Sequence, residues 1–183
     1  MPENAGPMNP ATAAEIERAI RNVPDFPKPG IQFKDITPVL ADGRLLESTI
    51  DLLIARHRHQ QIHKVVGIDA RGFIFGAAAA VKLGAGFVPV RKKGKLPWAT
   101  HEQSYELEYG SATVAIHVDA VKPGERVLLV DDLLATGGTA LAAVRLLEKL
   151  GAEIVGVNFV IELAFLKGRD RLAGHPVEAL IRY

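Results

Sequence analysis

Between Val127 and Gly151 the chain reads VLLVDDLLATGGTALAAVRLLEKLG, an order that few folds can absorb. Val127 to Val130 form an unbroken apolar run, which marks a strand buried on both faces, as in a parallel sheet. Pro123 and Gly124 bound it upstream. From Thr139 on, Leu141, Val144, Leu147 and Leu150 recur at helical spacing, with Arg145, Glu148 and Lys149 on the other side. Gly151 is placed to stop this helix, and a β-like run from Glu153 to Ile161 follows. The unit is therefore strand, loop, helix, strand.

The loop inside that unit carries two kinds of chemistry. Ala135 to Thr139, ATGGT, is small and hydroxyl-rich and opens a helix. A helix start offers unpaired backbone N–H groups and roughly half a positive charge to an anion. Gly137 and Gly138 allow the backbone to close on a phosphate with no Cβ in the way, and Thr136 and Thr139 add hydroxyl donors. Asp131 and Asp132 stand just upstream, at the carboxyl end of the strand, where ligands of open α/β sheets sit. A carboxylate pair beside a phosphate cup makes sense if the aspartates receive neutral hydroxyls. A ribose 5-phosphate presents both groups. Other phosphate motifs fit poorly: no Lys follows the glycines as a P-loop requires, and GxGxxG is absent here.

VLLVDDLLATGGTA closely resembles the phosphoribosyl-pyrophosphate (PRPP) loop of the type I phosphoribosyltransferases, and its DDLLATGGT form resembles the adenine branch of that family. The resemblance implies that Asp131 and Asp132 hold the ribose hydroxyls of PRPP. It also implies that Ala135, Thr136, Gly137, Gly138 and Thr139 hold the 5-phosphate.

Further segments in the same order carry the likeness over about residues 24 to 170. Four prolines between positions 24 and 38 forbid a regular helix in DFPKPGIQFKDITPVL and make it an apolar irregular segment. It is similar to the family's adenine-binding hood, here 24–40. By that likeness Phe33 stacks on one purine face and Leu133 covers the other, while backbone groups near Gln32 read the Watson–Crick edge. Lys34 stands where relatives commonly carry Arg. DARGFIFG, after the strand Lys64–Ile68, resembles the pyrophosphate loop and assigns Arg71 to it. In RKKGKLP, after the strand Gly86–Val90, Arg91, Lys92, Lys93 and Lys95 crowd cations together. The likeness assigns Arg91 and Lys95 to the leaving pyrophosphate. Gly110 and Ser111 divide two alternating runs, which predicts a hairpin. SYELEYG resembles the family's catalytic loop, so 96–118 is expected to be a flexible lid, with Glu108 as general acid/base and Tyr109 beside it. An extended backbone would put Glu106 and Glu108 on one face, so only the resemblance separates them.

Elsewhere, Thr12 with Glu15 makes a capping box for a helix whose stripe is Ile16, Ile20 and Val23, ending near Pro24. Asp42 caps a helix with Leu46, Ile50, Leu53 and, at its end, His57 inward. His59 and His63 read as solvated surface, not as metal ligands. Leu163 to Ala173 reads as a short charged helix, and Pro176 to Tyr183 as the last strand. The expected fold is α/β: an open, mainly parallel sheet flanked by helices, with an N-terminal hood and a β-hairpin lid. Length favours a single domain over 1–183, with 1–11 disordered.

Composition limits the partners. A net charge of +1 gives no basis for nucleic-acid or membrane binding through bulk electrostatics. Zero cysteines exclude disulfides and thiolate metal sites and fit a cytoplasmic setting. No apolar run reaches the roughly 18 residues of a membrane span. The resemblance implies purine salvage: adenine and PRPP giving AMP and pyrophosphate, with Mg²⁺ held mostly by ligand oxygens and water, in a homodimer. Two other readings stay open, a transferase for another base and a non-catalytic PRPP-binding regulator.

Overall fold

Thr12 opens the first helix as its capping box predicts. Its hydroxyl accepts from the Glu15 N–H, and the Glu15 carboxylate accepts from the Thr12 N–H at 2.9 Å. The computed structural model describes residues 9–106 and 110–183 of the chain. These form two compact units, Met1–Leu52 and Leu53–Tyr183.

In the first unit, α1 (Ala13–Ala19) is shorter than its apolar stripe suggests. Val23 belongs instead to β1 (Arg21–Pro24), which pairs antiparallel with β2 (Gln32–Asp35). The proline-rich segment is thus partly a two-stranded ribbon, because Val23 and Phe33 pair across a loop that local pattern does not reveal. Pro38 sits in the first turn of α2 (Thr37–Ala41), where its missing N–H costs nothing. Asp42 Oδ1 accepts from the Leu45 N–H at 3.0 Å and caps α3 (Gly43–Leu53). The buried face of α3 runs through Leu45, Thr49, Ile50 and Leu53; Leu46, expected inward, is only half-buried. Ala11 is buried and donates its N–H to Ser48 Oγ at 2.7 Å, so ordered chain begins before the expected residue 12.

The second unit is a seven-stranded sheet in the order β5-β6-β4-β3-β7-β8-β9. Its parallel strands are β3 (Lys64–Ile68), β4 (Gly86–Lys92), β7 (Arg126–Leu134), β8 (Glu153–Glu162) and β9 (Val177–Arg182). β5 (Thr100–Glu106) and β6 (Ser111–His117) add an antiparallel hairpin on β4. Helices α4 (Gly72–Leu83) and α5 (Gly138–Lys149) are the crossovers that parallel neighbours require. The apolar run Val127–Val130 is fully buried at the centre, with Val127 and Leu129 packed among Val66, Ile68, Phe159 and the α5 stripe Ala143, Val144 and Leu147. No helix among the described residues is long and apolar enough to cross a membrane.

Two expectations fail here. Leu163–Ala173 is not a helix but two 3-10 turns, Ala164–Leu166 and Gly168–Leu172, broken by Lys167 in the left-handed region at φ +53°. His63, expected to be solvated, is half-buried and accepts the Arg126 N–H on Nδ1 at 2.8 Å, while His59 is exposed as expected. His57 does lie inward: it is 4% exposed, with Nδ1 at 3.3 Å from Gln60 Oε1 and its ring packed against Gly156 of β8.

Candidate active site

β7 runs past its apolar core to Leu134, so Asp131 and Asp132 are its last polar residues rather than part of the loop. They border a cavity of about 380 Å³ at the carboxyl end of the sheet, lined by residues 68–71, Tyr105 and 131–140. Two crossovers meet there: the one from β3 into α4, and the one from β7 into α5. Their convergence follows from β3 and β7 being parallel neighbours.

The acidic side of the cavity is tightly wired. Asp132 is 8% exposed, and its carboxylate accepts from Arg71 Nε, which reaches across from the start of α4. Asp131 Oδ1 accepts the Asp132 N–H at 2.9 Å. Burial, and after it the charge of Asp132, push the Asp131 carboxyl well above the usual carboxylate range; Arg71 pulls only weakly the other way.

The turn that opens α5 presents backbone rather than side chains to the cavity. Gly137 takes φ +81° as the residue before α5, and no side chain caps the helix. The Leu141 N–H closes onto Gly137 O at 2.9 Å, which leaves the earlier N–H groups of the first turn for a ligand. Thr136 is exposed and Thr139 half-buried at its rim.

A third layer holds cations. Asp69, just past β3, donates its N–H to Val90 O at 2.9 Å, and its carboxylate accepts from Arg91 Nε at 3.2 Å. Arg91 also donates to the Lys95 carbonyl at 3.0 Å. Lys93 pairs with Glu102 at 2.8 Å. One pocket thus sets two carboxylates and an amide-lined cup beside a guanidinium, the functional groups a phosphorylated sugar carrying an anionic leaving group would meet.

A phosphoribosyl transferase domain model matches residues 38–174. The chain is 55% identical over 176 residues to the adenine phosphoribosyltransferase of Acidothermus cellulolyticus, covering 96% of this chain and 99% of that one. The chain belongs to the adenine phosphoribosyltransferase family. A crystal structure of adenine phosphoribosyltransferase from Rhodothermus marinus superposes with a TM-score of 0.89 at 55% identity, over 93% of this chain and 98% of that one. The Saccharomyces cerevisiae enzyme, solved with adenine and an imino-altritol bisphosphate, gives 0.87 at 43% identity, over 92% and 97%.

Against this adenine phosphoribosyltransferase fold the residues singled out in sequence fall into four groups. Asp131, Asp132, Leu133, Ala135, Thr136, Gly137, Gly138, Thr139 and Arg71 all line the one cavity. Arg91 reaches it at second hand through Asp69, while Lys95 is exposed and outside the lining. Gln32, Phe33 and Lys34 stand together on β2 of the first unit. There Phe33 meets Phe26 edge-on, with centroids 5.1 Å apart, and Lys34 Nζ donates to Asn22 at 2.7 Å. Glu108 and Tyr109 lie outside the described residues. Sequence reasoning missed Asp69 and Tyr105. Asp69 had a usable signal, since it follows β3 as Asp131 follows the apolar core of β7.

Proposed function

We propose that the chain transfers the phosphoribosyl group of PRPP to N9 of adenine at the cavity on β7, in purine salvage. The observation that carries this reading is the single pocket shared by the aspartate pair, the amide cup and Arg71. The named relatives support the choice of adenine.

In this reading the cup receives the 5-phosphate, and Asp131 and Asp132 accept from the ribose hydroxyls. The C1–O bond to pyrophosphate breaks as C1 gains oxocarbenium character, and the C1–N9 bond forms. Arg71, Arg91 and Lys95 neutralise the departing pyrophosphate. Glu108 takes the N9 proton, directly or through water, for roughly 10²–10⁴-fold in rate, with Tyr109 beside it in the lid of 96–118. Closing that lid keeps water from intercepting the cation. In the first unit, Phe33 offers a stacking face for the purine, and backbone near Gln32 reads its edge; in the second, Leu133 offers an apolar surface. Asp69 and Asp132 are already engaged by arginines, so Mg²⁺ would be held by PRPP oxygens and water and would offset pyrophosphate charge. The proposal includes a cytoplasmic homodimer.

Turnover of adenine, hypoxanthine, guanine and orotate with PRPP tests this. Adenine should be consumed with AMP and pyrophosphate formed one for one. Turnover of another base without adenine would overturn the specificity. PRPP binding with no turnover of any base would point to a regulator.

A further inference from the structure

The deepest charge of the second unit outside the cavity is Glu162, the last residue of β8, at 2% exposure. Its carboxylate accepts from Arg169 twice, Nε at 3.0 Å and Nη2 at 2.6 Å, and Arg182 Nε approaches at 3.1 Å. Arg169 spends its remaining nitrogen on Val177 O at 2.5 Å. These hydrogen bonds hold the Glu162 carboxyl below the usual range against its burial. A buried, forked pair of this kind is a strong geometric constraint but a weak source of net stability.

What it constrains lies one residue away. Gly168 precedes Arg169, and its backbone presses directly on the phosphate cup. A Cβ on Gly168 would stand 2.1 Å from Ala135 O and 2.9 Å from Gly137 N. A Cβ on Gly137 would stand 2.4 Å from Gly168 O. All three distances are well inside van der Waals contact, so the two glycine backbones touch where no other residue type fits. The register agrees: Leu134 of β7 pairs with Glu162, and the Leu163 N–H donates to Leu134 O at 2.9 Å. Lys167, in the left-handed region, turns the chain so that Gly168 faces the cup while Arg169 returns to Glu162.

We propose that Glu162 and Arg169 are positioning residues for the 5-phosphate: their ion pair clamps the Gly168 backbone under Ala135–Gly137 and sets the spacing of the cup's N–H groups. Neither side chain lines the cavity, so they act only through Gly168. The inference rests on reading residues 135–139 as the phosphate cup.

The test compares Gly168→Ala, Arg169→Met and Arg169→Lys with the parent enzyme in steady-state kinetics and in binding of AMP, adenosine and adenine. Gly168→Ala and Arg169→Met should raise KM for PRPP and Kd for AMP about tenfold, the worth of one charge-assisted hydrogen bond. KM for adenine and Kd for adenosine should stay within about twofold. Arg169→Lys, which keeps the charge but loses the fork, should fall between. Should Gly168→Ala not fold, the two Arg169 variants carry the same readout. Loss of stability or of active enzyme with KM for PRPP unchanged would overturn the clamp. Thr139→Val, at the rim of the cup, separates the two readings. If it weakens AMP binding while the Gly168 and Arg169 variants do not, the cup stands and the clamp falls. If it leaves AMP untouched and the parent does not prefer AMP over adenosine, the cup itself is misassigned.

Discussion

The two crossovers that build the cavity share one plan and present opposite chemistry. β3 leads through Asp69 and Arg71 into α4; β7 leads through Asp131 and Asp132 into α5. Neither helix has a side-chain cap. The residue before α4 is Arg71 in ordinary helical conformation, φ −73°, so a long cationic side chain projects from the helix start. The residue before α5 is Gly137 at φ +81°, so the backbone itself turns toward the ligand and nothing projects. One start offers a side-chain charge suited to a group that leaves. The other offers fixed amides suited to a group that stays. Arg71 then joins them by bonding to Asp132, so the acidic pair of one crossover is held by the cation of the other.

Substitutions can break this division of labour in graded steps. Asp132→Ala should cost most, because it removes a hydroxyl acceptor and also breaks the ion pair with Arg71; kcat/KM for PRPP should fall roughly 10²–10³-fold. Arg71→Ala removes the projecting cation but leaves the amide cup. The reverse reaction from AMP and pyrophosphate should weaken about 10–10²-fold in pyrophosphate dependence, with AMP binding much less affected. A uniform loss for AMP and pyrophosphate alike would show that the two starts are not specialised. Asp131→Asn should have the smallest effect on binding, about tenfold or less for AMP, with a gain in stability. The sign follows from the raised Asp131 carboxyl. Its contribution to stability is intact below the ordinary value of 3.8 and is lost as pH rises toward its elevated folded value. Melting curves across pH should therefore show the Asn variant gaining on the parent as pH rises. A variant that melts lower at neutral pH would refute that.

The same contrast explains what was legible in sequence. The apolar core of β7, its glycine turn and α5 could be read closely, because apolar run, glycines and helical stripe are all local signals, although β7 itself continues to Leu134. Leu163–Ala173 was misread as a helix because its composition is helical, while its backbone is bent by the contact of Gly168 with Gly137, far apart in sequence. The β1–β2 ribbon and the Asp69–Arg91 pair escaped for a like reason: each depends on a partner outside any local window. His63 shows the limit in burial, since it is half-buried by a hydrogen bond from the Arg126 N–H, far away in sequence. In the site, the residues on the β7–α5 crossover came from motif and chemistry together. Choosing Glu108 over Glu106 took the family likeness, because alternation gives both the same face.

A crystal structure with AMP bound tests the central claim most directly. The phosphate oxygens should lie within about 2.6–3.2 Å of backbone N–H groups at 136–139, with the ribose hydroxyls at the same reach of Asp131 and Asp132. AMP bound elsewhere, with residues 131–139 open to solvent, would contradict it.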